Sequence, residues 1–322
     1  MRLAQHQQDR FLFVVAHTML GITLFHLGDC ADAQEHLEQT ITLYDSQQDR
    51  SHSFLYRQDP AVASLSQLAW TLWKLGYPDQ ALKRSQESLT LAKKLSHLPS
   101  LAFALHYAVL TNQFRRESQT AYKQAEELIN FAREQGFPFW LTMAMIVQGA
   151  ERARLEFGND GIRQIQQGIT AFRATGAAIA ETYWLALLAE AYGENKQPEE
   201  ELRVLAEALV VVNTRDERNW EPELYRLKGE LTLKSIDERG DSPTAILYSE
   251  VEEYFQQSLI IARQQSAKSL ELRAAMSLSR LWQRHGKKKG AYELLAPIYG
   301  WFTEGFDTAD LQDAKALLEE LA

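Results

Sequence analysis

Residues Ser269 to Phe306 read SLELRAAMSLSRLWQRHGKKKGAYELLAPIYGWFTEGF. The apolar residues of this segment recur at i, i+3, i+4 and i+7, which places them on one face of an α-helix, and the pattern occurs twice. Between the two periods, residues 285–290 carry glycines that can end a helix in the left-handed conformation. The segment therefore predicts an antiparallel helical hairpin whose small residues, Ser279 and Ala291, lie where the two backbones are closest.

This hairpin pattern recurs along the chain, over much of it at intervals of 40 residues. The small or permissive positions of the first helices are Gly21, Ala69, Val109, Gly149, Ala189, Gly229 and Ser279. The corresponding positions of the second helices are Ala33, Ala81, Ala121, Gly161, Glu201, Val251 and Ala291. A recurring period of this length is typical of a solenoid, in which each repeat packs on its neighbours.

Two insertions account for the longer intervals, one in the polar segment 45–60 and one in the segment 235–245. Loops tolerate such insertions because closure entropy rises only slowly with length. We therefore expect an all-α protein, a right-handed α-solenoid of about seven hairpins over residues 1–306. A capping helix over residues 307–322 would cover the open end, with Trp282, Tyr299, Trp301 and Phe302 forming core between the seventh repeat and the cap.

Composition narrows the function classes. The 322 residues include only 16 Gly and 8 Pro, which suits a helical chain. A formal net charge of −9 disfavours nonspecific nucleic-acid binding, which needs a basic surface. With Cys30 as the only cysteine, no intrachain disulfide can form, which favours the reducing cytoplasm. Because no uninterrupted apolar stretch approaches the ~20 residues of a membrane span, we expect no membrane partner.

The repeat resembles the tetratricopeptide repeat (TPR). The residues that carry this resemblance are Leu20, Gly21, Leu24, Gly28, Ala33 and Leu37. A narrower resemblance covers nearly the whole chain, which looks like the C-terminal TPR region of bacterial multidomain signalling ATPases (STAND-type ATPases, often fused to a class III adenylate or guanylate cyclase domain). The stretches that carry it include Asp59–Leu82, Gly136–Leu141, Leu187–Leu202, Glu223–Leu231 and the Ser269–Phe306 hairpin with the segment that follows it.

That resemblance implies a non-enzymatic interaction or sensor module, detached from its effector. The sequence has no phosphate-binding G-x-x-x-x-G-K-[ST] loop and no combination of nucleophile and base, so we expect no enzyme activity and no cofactor. The densest set of metal-type ligands, His26, Asp29, Cys30 and His36, lacks standard spacing, and we expect no metal site. The expected partner is a protein or peptide, including the ATPase or cyclase module itself. A small-molecule effector remains the alternative.

In TPR folds the first helices line the concave face, and fixed steps from each small residue give the positions that point into it. In the first four repeats these positions are largely apolar or aromatic, and in the last three they are largely charged. The later positions include Tyr183, Glu190, Glu223, Arg226, Glu230 and Lys234. The residues we predict to line a partner-binding groove are Phe25, Trp70, Trp73, Phe103, His106, Phe114, Met143, Arg273, Arg280 and Arg284.

Two interpretations of the aromatic half stay open. An exposed groove of this kind would be a large apolar patch that something covers, such as an apolar helix or peptide. Alternatively, the long helices bury these side chains between repeats. The three arginines likewise either hold an acidic partner by bidentate contacts or form ion pairs with the neighbouring Glu223 and Glu230, and we favour the ion pairs.

Overall fold

The computed structural model describes residues 10–45, 58–155, 158–239 and 245–322. Within this part of the chain, 15 α-helices follow one another with no strand between them. They are α1 (Arg10–Leu27), α2 (Cys30–Leu43), α3 (Pro60–Lys74), α4 (Pro78–Leu95), α5 (Leu98–Phe114), α6 (Ser118–Glu134), α7 (Pro138–Arg154), α8 (Gly158–Ala174), α9 (Glu181–Glu194), α10 (Pro198–Arg215), α11 (Glu221–Arg239), α12 (Ala245–Gln264), α13 (Lys268–Arg284), α14 (Lys288–Tyr299) and α15 (Ala309–Leu321).

Successive helices pack as seven hairpins, α1/α2 to α13/α14, followed by the single helix α15, and this TPR-like solenoid confirms the predicted fold class. Local sequence sets the helix ends. Asp59 caps α3, because its Oδ1 accepts hydrogen bonds from the backbone N–H groups of Ala61 at 3.0 Å and Val62 at 3.1 Å. Gly286, the second residue after α13, has a φ of +73°, a conformation in which a side chain would be strained. Parts of both predicted insertions lie outside the described residues, which omit 46–57 of the first and 240–244 of the second.

The predicted small positions do lie where the two helices of a hairpin touch. In the seventh hairpin, Ser279 Oγ donates a hydrogen bond to the carbonyl oxygen of Ala291 at 3.1 Å. In the fourth, a Cβ added to Gly161 would lie 2.6 Å from the carbonyl oxygen of Gly149. Only a residue without a side chain fits such an approach. The 40-residue register read from the sequence is therefore the packing register.

By length and composition alone, the first helix, α1, could cross a membrane. In the structure it is the first helix of the solenoid, and its buried residues, Phe11, Val14, Thr18, Gly21 and Phe25, lie on one side. Thr18 Oγ1 lies 3.2 Å from Thr40 Oγ1 of α2, a buried contact between the two helices. The apolar composition of α1 thus fits a helix that packs on its neighbours.

The solenoid turns far enough for its last repeat to meet its second. Ser269 Oγ, at the start of α13, donates to the carbonyl oxygen of Trp73 in α3 at 2.5 Å. Trp301 lies against the turn after α3, where its ring would be 2.5 Å from a Cβ added to Gly76 and is 5.5 Å from the ring of Tyr77. The superhelix is therefore closed across its concave face.

Trp301 departs from the sequence-based expectation. It was expected in the core between the seventh repeat and the cap, together with Phe302, which is indeed buried. Trp301 is instead 36% exposed and packs on the second repeat. The difference arises because closure brings a distant turn next to the end of the stack, which a repeat period cannot reveal.

Polar contacts hold the closure together beside Trp301. Glu304 Oε1 accepts from the N–H groups of Asp79 and Gln80, each at 3.0 Å, at the start of α4. Asp79 in turn accepts from the N–H of Gly305 at 2.9 Å. The buried guanidinium of Arg115, after α5, joins both sides through Asp79 at 3.1 Å and Asp307 at 3.2 Å. The segment that leads into α15 thus contacts the second and third repeats as well as the seventh.

Candidate binding cavity

Seven of the residues predicted to line a groove lie in the packed interior. They come from the first four repeats and are at most 6% exposed: Phe25, Trp70, Trp73, Phe103, His106, Phe114 and Met143. Of the two interpretations that the sequence left open, burial is therefore the one found in the structure. Closure of the superhelix explains it, because residues of later repeats cover this face.

Tyr183 and Trp220 cover Trp70, Trp73 and Phe114. The ring of Tyr183 lies 5.8 Å from Trp70, and the ring of Trp220 lies 6.2 Å from Trp73 and nearly parallel to it. Phe114 stacks on Trp73 at 4.6 Å. Ring contacts at these separations add to the hydrophobic gain of burial. We call this cluster, Trp70, Trp73, Phe114, Tyr183 and Trp220, the aromatic interior.

A charged side chain also lies in this region. Lys74, the last residue of α3, is 0% exposed, and within the described residues its Nζ has no hydrogen-bond partner. The Nζ lies 5.3 Å from the ring centroid of Phe25 and 5.4 Å from that of Trp220, so ring faces are what surround the cation. Burial lowers the pKa of Lys74 to about 8, although Cys30 and Glu223 act in the opposite direction.

A cavity of about 1030 Å³ lies beside the aromatic interior. Phe114, Tyr183 and Trp220 contribute to its wall, so the two regions share a boundary. Charged groups dominate the rest of the lining. Six are basic and six acidic: Arg116, Arg154, Arg226, Lys234, Arg273 and Arg280, and Glu190, Glu194, Glu201, Glu230, Asp310 and Asp313.

Most of these charges pair with one another. Arg154 contacts Glu190 at 2.6 Å and Glu151 at 2.9 Å. Arg226 contacts Glu230 at 2.5 Å and Glu223 at 2.7 Å. Burial alone would lower the pKa of the Arg226 guanidinium, but these carboxylates outweigh it and raise that pKa well above its usual value. The paired charges form a polar wall of the cavity.

Glu201 is an exception. It lies in α10 at the repeat position that is small in most other second helices, and it is 5% exposed. Its carboxylate lies over Gly193, where an added Cβ would be 2.6 Å from Oε2, and this oxygen has no hydrogen-bond partner within the described residues. Burial raises the pKa of Glu201 to about 7, and the nearby Lys234 opposes that shift. A carboxyl group with this pKa titrates near neutral pH.

The three predicted arginines lie on the polar side. Arg273 is paired with Asp310 at 2.8 Å and with Glu223 at 3.8 Å, as the ion-pair interpretation expected, and its guanidinium lies 5.0 Å from the ring of Trp73. Arg284 pairs with Asp237 at 2.9 Å and lines a second cavity of about 410 Å³. Arg280 lines both cavities. Of the ten predicted residues, the main cavity therefore holds Phe114, Arg273 and Arg280.

Sequence reasoning missed several residues of the main cavity. Arg154, Glu190 and Arg226 contribute to its lining, yet the predicted groove did not include them. The signal was available, because the concave-face steps that mark the later repeats as charged include Glu190 and Arg226. Glu201 and Arg116 lie off those steps, on a second helix and in a turn, and no periodic rule identifies them.

Comparisons with known proteins give the fold and no closer relationship. No protein-family model and no curated protein matches the sequence. Among solved structures, NprR in complex with its cognate peptide NprX has a TM-score of 0.60 and 15% identity, over 95% of this chain and 88% of that one. A Rap protein complexed with competence and sporulation factor has a TM-score of 0.59 and 11% identity, over 98% and 78%.

A third solved structure is a STAND protein with a TPR sensor, PH0952 from Pyrococcus horikoshii. It has a TM-score of 0.45 and 15% identity, over 96% of this chain and 43% of that one. All three identities are low, and the likeness to NprR and Rap shows a shared fold. This chain has the TPR-like solenoid fold.

Proposed function

We propose that this chain is a binding module that holds a peptide, or a peptide-like segment of a protein, in its central cavity. The observation that carries the proposal is the cavity itself, about 1030 Å³ in volume and lined by charged residues contributed by several repeats. Convergent polar groups in a preformed concave site are the usual marks of a binding site. The buried aromatic residues then serve as the core that fixes the cavity wall.

The comparisons support the choice of a peptide. NprR and the Rap protein share the fold over most of this chain, and each was solved with a bound factor, which for NprR is its cognate peptide NprX. A peptide also suits the lining, because its backbone offers donors and acceptors to a wall that carries both signs of charge. An apolar helix suits it poorly.

We further propose that the module is non-enzymatic, cytoplasmic, and the sensor part of a bacterial signalling ATPase or cyclase system. This link rests on the sequence resemblance alone. In such a system, the ligand biases a conformational equilibrium by binding one state better than the other. The closed superhelix offers a defined state for that purpose, since the contacts of Trp301 and Arg115 join repeats far apart in sequence.

A small polar effector is the second candidate, because the cavity volume is close to that of small-ligand sites. Such sites measure roughly 300–1,000 Å³, and this cavity, at about 1030 Å³, is just above that range. Ligands of either class would be held by the same charged groups. Direct comparison of the two classes is therefore needed.

A thermal-shift screen of the purified chain tests the proposal. The probes are a random hexapeptide library and a panel of small anionic and zwitterionic metabolites, because a ligand that binds the folded state raises the melting temperature. We expect the peptides to raise it. The variant Ala309→Trp fills the cavity from α15 and should abolish the shift, whereas Ala316→Trp, on the same helix but beside the smaller cavity, should keep it.

If only the metabolites raised the melting temperature, the proposed ligand would be a small effector and not a peptide. Shifts that survive in Ala309→Trp would place the binding site elsewhere. Hydrolysis of ATP by the purified chain, or formation of a cyclic nucleotide, would contradict the non-enzymatic assignment.

A further inference from the structure

Within the described residues, two charged side chains of the central cavity have neither an ion pair nor a hydrogen bond from their charged groups. The remaining guanidinium groups of its lining each contact a carboxylate within 4 Å, as Arg154 does with Glu190 and Arg273 does with Asp310. Within the described residues, Glu201 and Arg280 have no such partner. They have opposite signs and line the same cavity.

The free carboxylate of Glu201 is the more unusual of the two. A buried carboxylate is stable only when hydrogen bonds or an opposite charge replace its lost water. The nearest candidate, Lys234, instead donates from Nζ to the carbonyl oxygen of Gly193 at 2.6 Å. The Glu201 carboxylate is thus held over Gly193 with an acceptor oxygen unused. A cation with N–H donors would complete this site.

Arg280 presents the complementary group. It is exposed, lies on α13 between Arg273 and Arg284, and is the member of that series without an ion pair in the described part of the chain. Its planar guanidinium can accept a carboxylate through two parallel hydrogen bonds. Its exposure leaves the guanidinium accessible to a ligand.

Building on the proposed function, we infer that the occupant is a short linear peptide with free ends, whose amino terminus binds Glu201 and whose terminal carboxylate binds Arg280. The charge balance of the lining carries this assignment. The other guanidinium groups and carboxylates of the lining form ion pairs, and the ammonium group of Lys234 donates to the carbonyl oxygen of Gly193. Within the described residues, Glu201 and Arg280 are therefore the acid and the base left without a polar contact. That matches a chain whose side chains are uncharged and whose ends carry one charge of each sign. Capture of chain ends is an established mode of peptide recognition.

Affinity selection with a defined library tests the inference. The probe is a library of hexapeptides without Lys, Arg, His, Asp or Glu, made in four versions: free ends, acetylated, amidated, and capped at both ends. Peptides retained by the immobilised full chain are measured by mass spectrometry. We expect the free-ended version to be retained at least about tenfold better than the doubly capped one, because each cap removes a charge-assisted hydrogen bond.

Two variants assign each end. Glu201→Gln should retain acetylated and free peptides equally while still preferring a carboxylate to an amide. Arg280→Gln should lose the preference for a carboxylate and keep that for a free amine. The matched controls Glu293→Gln and Lys289→Gln, both on exposed positions of α14, should behave like the wild type. Melting temperatures verify that each variant is folded.

The possible outcomes separate this inference from the function on which it rests. Equal retention of all four versions would overturn the inference and leave peptide binding intact. A parallel library contains lysine and glutamate and has both ends capped. If only this library were retained, the ligand charges that bind Glu201 and Arg280 would be those of side chains, and the inference would also be overturned. Retention of no peptide at all would overturn the proposed function as well.

Discussion

The inward-facing side chains of the two halves of the concave face are covered in different ways. In the first four repeats, the inward-facing side chains are mainly aromatic or apolar, and Trp70, Trp73 and Phe114 are buried under Tyr183 and Trp220 from later repeats. In the last three repeats, the inward-facing side chains are charged, and most form ion pairs around a cavity of about 1030 Å³. Both faces are covered, the first by packing and the second by mutual pairing.

This difference between the two halves indicates where a ligand can enter. Removing apolar side chains from water is favourable, so an aromatic face collapses once another surface can reach it. Charged groups resist such collapse, because each must keep a partner or water. The space in this solenoid therefore remains on the charged side, where solvent reaches Arg280. The face that resembles an apolar docking groove in the sequence is the part that closure has filled.

Truncation of the aromatic interior should have the largest effect. Trp73→Ala removes a buried ring that contacts Phe114, Trp220 and Arg273, and such truncations cost about 3–5 kcal/mol in the free energy of unfolding. The matched variant Trp301→Ala removes a partly exposed ring and should cost about 1 kcal/mol. Urea denaturation measures both, and equal losses would contradict the distinction between core and closure contact.

The fold was largely predictable from the sequence, since one physical constraint governs each hairpin. The tight contact of Ser279 with Ala291, and of Gly149 with Gly161, requires small residues at fixed spacing, and this spacing is visible without a structure. Closure was not predictable. The contact between Trp301 and Tyr77 depends on the accumulated turn of several repeats. Each hairpin adds a small rotation to that turn, and the size of the rotation cannot be read from the sequence of the hairpin.

For the same reason, only part of the candidate site could be predicted. The concave-face steps identify Arg273 and Arg280, because they follow from helix periodicity alone. Whether Trp70 is exposed or buried depends on Tyr183, a residue more than one hundred positions away, and so on closure. Glu201, by contrast, could be identified from the sequence by its departure from the repeat pattern. A glutamate at a position that is small in most other repeats violates the local pattern, and such violations are expected at functional sites.

Removal of the charge from the aromatic interior should have the next largest effect. The pKa of Lys74 is about 8 in the folded chain and near its ordinary value of 10.5 when unfolded, so the folded state binds the proton more weakly. The free energy of unfolding therefore falls as the pH drops from about 10.5 to about 8 and stays reduced below that. Lys74→Met should stabilise the chain at pH 7 by an amount on the order of 3 kcal/mol.

The control for this prediction is Lys83→Met, an exposed position on α4. Its stability relative to the wild type should not change between pH 7 and pH 10, whereas the advantage of Lys74→Met should shrink over that interval. Urea denaturation at pH 7 and pH 10 measures the free energy of unfolding of both variants and of the wild type. A constant advantage for Lys74→Met would show that packing, rather than the buried charge, separates the two lysines.

On the charged side, we expect the smallest effect on the free energy of unfolding from substitution of Glu201. Its pKa is raised to about 7 in the folded chain, above the ordinary value of 4.5, so the folded state binds the proton more tightly. The stability of the wild type should therefore fall as the pH rises from about 4.5 to about 7. Gln cannot titrate, so Glu201→Gln should gain stability relative to the wild type as the pH rises from 5 to 8, by an amount on the order of 2 kcal/mol. Glu230→Gln should instead lose stability, because Glu230 accepts a hydrogen bond from Arg226. If the two variants responded alike to pH, Glu201 would be one more paired carboxylate of the wall, and the cavity would offer no free acid to a ligand.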